Sequence, residues 1–368
     1  MKILFLGDAS NFHNTLSDAL NSMGHQSVVV SNGSEWMNTF RNIDIIREPG
    51  KIGSIKHLFK IVSLLPKFKG FDIVQIRNPI FLELKPYKIR YIFDFLKRNN
   101  GKVCLSALGT DYFYVKHCLD GKTFRYSEFM IGNQPSEYTL SEPYGRDGWI
   151  TEQMRQHTEY IINNIDGVIA CLYEYYKAYE DIIPEKLAYG GIPINTDAII
   201  KHYIDSEPEK VRFFIGIQKK RSILKGTDIM LNALRKVHSK YPDKSEICIV
   251  ENVPYKDYLE KMSQSHVILD QLYSYTPSTN ALLAMAKGIL AVSGAEPEYY
   301  DFINETENRP LINVSPLVKE DIEAKLEWII LNKQLLPELS HKSREFVSKH
   351  NDYKIIAQRH LDFWNTLL

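Results

Sequence analysis

The chain has 368 residues, 45 Lys+Arg against 45 Asp+Glu, with 44% hydrophobic and 24% charged positions. At roughly 100–200 residues per domain, the length predicts two domains with ample core. Zero net charge excludes a general nucleic-acid binder, which needs a basic face against phosphate, and no apolar run approaches the ~18–20 residues of a membrane span. The apolar run after Lys2 is too short for a signal peptide. Cys104, Cys118, Cys171 and Cys248 stand far apart with no Cys-x-x-Cys spacing, so free thiols in a reducing cytoplasm are expected.

In chain order, the apolar run 2–6 ended by Gly7 predicts a strand buried on both faces. A helical period over 15–23, stopped by Gly24, is followed by a Val-rich strand at 26–31. This is a βαβ unit, whose ligands bind beyond the carboxyl ends of parallel strands. Further strands are expected at 72–76, 103–107 and 165–172. Between 117 and 150 no period holds, which predicts a functional insertion or long loop. Turn chemistry at 189–193 marks a domain crossing. Beyond it, strands at 211–217, 245–250, 266–272 and 289–292 alternate with helices at 227–238, 255–262 and 279–287, a second doubly wound domain. An aromatic amphipathic helix closes the chain over 353–368.

Two such domains are expected to face each other across a cleft lined by strand-end loops. Two stretches of the second suit phosphate. Lys219, Lys220, Arg221 and Lys225 put four cations on a loop leading into a helix, with Thr227 as its expected cap. An Arg fork with a Lys point charge neutralises a diphosphate; the other reading is a solvated basic loop. Pro277 ahead of Ser278 and Thr279 starts a helix with a hydroxyl cap, followed by the small apolar run 281–286. Its amino terminus serves either as an anion site or as an ordinary capped core helix.

The order of these motifs resembles the GT-B glycosyltransferases, in particular the retaining GT4-like group (glycosyl transferases group 1). Arg221 with Lys225-Gly-Thr-Asp228 matches that group's basic Lys-Gly helix opening, and Leu283-Ala-Met-Ala-Lys-Gly-Ile-Leu-Ala-Val292 its helix-and-strand signature. Gly294 with Glu298 resembles the Gly…Glu that follows. Ala107-Leu-Gly-Thr-Asp111 resembles the His-Gly-Ser-Asp loop of the first domain, and 191–197 resembles the Asn-Gly-Val-Asp crossing. The resemblance implies a GT-B fold of two Rossmann-like α/β domains. These are 1–189, with 117–150 as insertion and the 353–368 helix docking back onto it, and 190–352. It implies Arg221 and Lys225 as diphosphate ligands, Ser278, Thr279 and Asn280 as backbone or hydroxyl donors, and Glu251, Asn252 and Glu298 at the donor. Gly109 and Asp111 are expected on the acceptor side, together with the 7–14 loop.

Two departures stand out. The family's paired acidic positions fall on Tyr275 and Leu283, and the His of the first-domain loop falls on Leu108. His13, in the first βα loop, reads as an acceptor or sugar contact or as a solvated surface residue. Asp111 orients substrate hydroxyls or caps a helix; these two are the weak catalytic candidates. Arg77-Asn-Pro79 lines a site or forms an ordinary turn. No metal-ligand spacing, hydrolase pattern or Gly-x-Gly-x-x-Gly is present.

The expected function is transfer of a sugar from a UDP- or GDP-type nucleotide sugar to a glycan or lipid-linked acceptor, without metal or further cofactor. The expected setting is surface polysaccharide or glycan building in the cytoplasm. A silent nucleotide-binding module and a nucleotide-sugar epimerase are the alternatives. The stretch 51–69 mixes Lys51, Lys56, Lys60, Lys67 and Lys69 with Ile, Leu and Phe; it reads as a peripheral contact with the inner membrane face or as a plain amphipathic helix.

Overall fold

The computed structural model describes residues 1–34, 37–318 and 320–368. The chain divides into two compact units, Met1–His117 with Tyr144–Pro193 and Tyr353–Leu368, and Cys118–Pro143 with Ile194–Asp352. Strands β1 (Lys2–Leu6), β2 (Gln26–Ser31), β3 (Ile43–Asp44), β4 (Ile73–Ile76) and β5 (Lys102–Ala107) belong to the first unit. A small antiparallel hairpin of β6 (Met130–Ile131) and β7 (Gln134–Pro135) belongs to the second, after which β8 (Gly167–Ala170) and β9 (Leu187–Tyr189) complete the first. The second unit's main sheet is β10 (Val211–Ile217), β11 (Ser245–Glu251), β12 (Val267–Leu269), β13 (Leu290–Ser293) and β14 (Ile312–Asn313).

Both main sheets are parallel throughout. Their orders are β3-β2-β1-β4-β5-β8-β9 and β11-β10-β12-β13-β14. Each is a doubly wound order, and each reverses direction beside its first strand: between β1 and β4, and between β10 and β12. Strands covered by helices on both faces read as continuous apolar runs. Ile3 to Leu6 have no exposed surface, and Val267, Ile268 and Leu269 are at most 1% exposed.

Helices that pack on the sheets turn an apolar stripe inward. Helix Thr227–Lys240 buries Met230, Leu231, Leu234 and Val237 against Phe213, Ile215, Leu269 and Leu326. At about 1.5–3 kcal/mol for each large side chain fully withdrawn from water, this stripe holds the helix to the sheet. The terminal helix Tyr353–Leu367 packs in the first unit beside helix Phe12–Ser22, burying Ile356, Leu361 and Trp364.

Two segments differ from the sequence expectation. The first helix begins at Phe12 rather than residue 15, because His13, Asn14 and Thr15 in its first turn are polar and hide the apolar period. Asn11 sits in the left-handed region at φ 63°, and the Asp8 carboxylate accepts from the His13 amide at 2.8 Å. Residues 118–143, kept with the first domain on sequence, stand with the second unit, tied there by Arg125 and Tyr126. They carry the hairpin and helix Glu137–Ser141, and helix Glu152–Asn164 follows in the first unit.

Candidate functional site

In a doubly wound sheet, ligands bind beyond the strand carboxyl ends at the point of reversal. In the second unit that point is flanked by the chain leaving β10, residues 218–226, and the chain leaving β12, residues 270–280. The first segment makes a 3-10 turn at Lys219–Arg221 and one helical turn at Ser222–Lys225 before Gly226. Gly226 has φ +69°, and a Cβ there would lie 2.8 Å from that of Leu272, so only glycine fits. Gly226, not Thr227, therefore occupies the cap position; Thr227 bonds its hydroxyl to that of Ser222 at 2.9 Å.

Asp270 joins the two segments. Its buried carboxylate accepts from Lys225 Nζ at 3.3 Å, Ser278 Oγ at 2.5 Å and Asn280 Nδ2 at 3.1 Å. Burial alone would raise its pKa; the Lys225 charge and the hydrogen bonds from Ser278 and Asn280 outweigh burial and leave it below the usual value. Asn280 is fixed further, since its Oδ1 accepts from Tyr258 OH at 2.9 Å. Ser278 holds the cap position of helix Thr279–Lys287 but spends its hydroxyl on Asp270, with no side-chain cap bond. The expected hydroxyl cap is thus absent. Among the described residues the first N–H groups of that helix have no side-chain partner, and the positive end of its dipole stands at the switch point.

Lys225, Ser278, Thr279 and Asn280 are in this way brought together. Arg221 lies one turn before Lys225, exposed, with no ion pair among the described residues. Glu251 ends β11 beside it: its carboxylate is 3.3 Å from Lys219 Nζ, and Asn252 follows at φ 47°. A shallow hollow lined by Pro208, Arg212, Glu246 and His266 lies at the opposite, amino-terminal ends of these strands, away from the expected ligand face.

Glu298 does not join this group. Arg125, from residues 118–143, donates to Glu296 at 2.7 Å and Glu298 at 2.8 Å. The backbone N–H of Arg125 donates to Tyr275 OH at 2.6 Å, while Tyr126 stacks on Tyr275 at 4.9 Å and donates to Glu296 at 2.5 Å. Tyr275, at the first of the family's acidic positions, is thus a buried phenol bonded to a backbone amide. Helix Glu137–Ser141 lies beside Ser222–Lys225, so this segment runs along the carboxyl ends of β13, β12 and β10. Nearby, Gly294 permits the loops after β12 and β13 to touch, since a Cβ would fall 1.7 Å from Ser274 O.

In the first unit the reversal point brings Asp8 and Arg77 together, with Arg77 donating to the Asp8 carbonyl at 3.1 Å. Burial raises the Asp8 carboxyl to about 6, against hydrogen bonds from the His13 amide, Ser34 and the Ala9 amide. His13 is neither a loop residue nor solvated: it lies in helix Phe12–Ser22 with no exposed surface. Asp111 takes the capping reading. Its buried carboxylate accepts from the Tyr114 amide at 2.9 Å and from Tyr179 OH at 2.5 Å. Gly109 precedes it at φ +125°. Sequence reasoning missed Asp270, Arg125, Tyr126 and Glu296 as site-forming groups. Only Asp270 carried a local signal, a carboxylate directly after an apolar strand.

No protein-family profile and no curated protein matches the chain. Solved structures do. Sucrose-phosphate synthase from Thermosynechococcus elongatus is similar at TM-score 0.66 and 11% identity, over 100% of this chain and 99% of that one. HepE from Anabaena in complex with UDP and glucose is similar at TM-score 0.61 and 13% identity, over 100% of both chains. A Listeria monocytogenes protein designated a UDP-N-acetylglucosamine 2-epimerase is similar at TM-score 0.56 and 12% identity, over 98% and 94%. With its two parallel, doubly wound α/β sheets and these full-length matches, the chain has the GT-B fold of two Rossmann-like domains.

Proposed function

We propose that the chain transfers a sugar from a nucleotide-diphosphate sugar, of UDP or GDP type, to a glycan or lipid-linked acceptor. The observation that carries this reading is the Asp270 junction, which holds the Lys225 ammonium against the open amino terminus of helix Thr279–Lys287. With the Arg221 guanidinium one turn away, these groups offer fixed positive charge where a diphosphate would leave. The chemistry is electrostatic: cations and helix N–H groups stabilise negative charge developing on the leaving diphosphate. Arg221 and Lys225 would do the neutralising that other transferases give to a metal, with no further cofactor. The base would lie toward Glu251 and Asn252, and the acceptor against the first unit near Gly109. Retention at the anomeric carbon, membership of the GT4-like group and a cytoplasmic role in surface glycan building complete the proposal. They rest on the motif resemblance.

The likeness to a protein designated an epimerase favours a second reading on the same donor site. Tyr275 and Leu283, where the resembled group has carboxylates, favour a third, a silent binding module. Incubation of the whole chain with radiolabelled UDP- and GDP-sugars separates the three. Transfer is expected to yield free nucleoside diphosphate together with glycosylated acceptor or released sugar. Interconversion of the donor without loss of nucleotide would instead establish the epimerase, and binding with no turnover the silent module.

A further inference from the structure

Helix Gly50–Leu64 is docked to the first unit by one face and leaves a greasy one outside. Gly53, His57 and Ile61 are buried, with His57 Nε2 donating to Leu82 O at 2.8 Å. On the other side Ile52 is 73% exposed, Ile55 55%, Phe59 70% and Val62 50%. At 100° per residue these four fall within an arc of about 80°. A plain surface helix carries polar residues there, so the amphipathic-helix reading leaves this stripe unexplained. The approach to the helix adds exposed Ile46.

The stripe is bordered by charge of one sign. Lys56 and Lys60 stand on one edge and Lys51 on the other, all exposed, and Lys67 and Lys69 follow in the next turns. Between residues 41 and 69 the chain carries seven basic and two acidic residues, in a molecule whose total charge is zero. Asp44 and Glu48 pair with Lys60 and Lys56 at 3.3 and 3.1 Å in exposed pairs, which bind little. The local surplus remains.

We propose that this helix docks the first unit onto an anionic lipid surface, with Ile52, Ile55, Phe59 and Val62 entering the acyl boundary and the bordering lysines at the headgroups. Both ingredients of interfacial binding are present on one face: apolar area for insertion and cations for anionic lipid. The charge selects the occupant, because a water-soluble apolar partner gives the lysine border no role.

Vesicle sedimentation of the full chain tests this. The chain is expected to pellet with equimolar phosphatidylcholine–phosphatidylglycerol vesicles at low salt. It should stay in solution with phosphatidylcholine alone and be released by high salt. Ile55→Asp with Phe59→Asp should weaken binding at least about tenfold, and each of Lys51→Gln and Lys56→Gln about fivefold, all with unaltered melting temperatures; Phe59→Leu should bind as the parent does. Absence of pelleting with the anionic vesicles overturns the proposal, as does binding unaffected by the Asp substitutions. Self-association abolished by those substitutions, without vesicle binding, overturns it in favour of a chain–chain interface.

Discussion

Trp364 Nε1 donates to Gln75 Oε1 at 3.1 Å, Gln75 Nε2 to Ser106 Oγ at 2.9 Å, and Ser106 is 2.8 Å from His13 Nε2. Each donor is used once, which leaves His13 Nε2 the acceptor and Nδ1 the donor to Gly7 O at 2.6 Å. His13 is therefore neutral, and burial pushes its pKa down to about 3; burial likewise lowers His360 to about 4. Below pH 6.5 the unfolded chain binds protons at both positions that the folded chain refuses, so stability falls as pH falls from 6.5 toward 4. Asp8, raised to about 6, acts oppositely between about pH 4 and 6, where its folded carboxyl binds a proton the unfolded one has released. Two histidines outweigh one aspartate, and His266, likewise lowered to about 4 by burial, adds to the loss, so stability falls between pH 7 and 5. Melting curves should show the midpoint dropping over that interval, with His360→Gln shrinking the drop; a flat profile would contradict the assignment. Asp270 is a second residue with a defined consequence. Asp270→Ala orphans Ser278, Asn280 and the partly exposed Lys225 together, and should cost about 2–4 kcal/mol in denaturant unfolding.

Elements whose side chains answer to their own strand or helix were legible in sequence. Strand Val211–Ile217 and helix Thr279–Lys287 match their expected limits because buried apolar runs and a helical period write themselves locally. Residues 118–143 were illegible for the converse reason. Their strands are two residues long, and Arg125 and Tyr126 find their partners about 150 to 170 positions away, beyond any local window. Because Glu296 is almost fully buried, Arg125→Ala leaves a carboxylate with one hydrogen-bonded partner fewer and the segment with a weaker hold. Limited chymotrypsin digestion, whose aromatic sites in the segment the substitution leaves intact, should then cut within 118–143 several-fold faster than in the parent at equal global stability; an unchanged rate would show that Arg125 does not fasten the segment.

At the scale of the molecule, a zero net charge conceals two basic concentrations, one along helix Gly50–Leu64 and one at Lys219–Lys225 in the second unit. The doubly wound topology explains why the second matters: it sets Lys225 and the start of helix Thr279–Lys287 on neighbouring strand ends, and Asp270 fastens them. The two stretches, 219–228 and 270–280, were readable in sequence as a strand-end loop and a helix start, while their joining through Asp270 required the fold. Among the described residues no helix is long and apolar enough to cross a membrane. Isothermal titration of the whole chain with UDP and with GDP tests the central claim most directly. One nucleotide should bind saturably, and Arg221→Ala and Lys225→Ala should each weaken it about tenfold or more, the worth of a charge-assisted hydrogen bond. Binding of neither nucleotide, or equal affinity in both variants, would contradict the account.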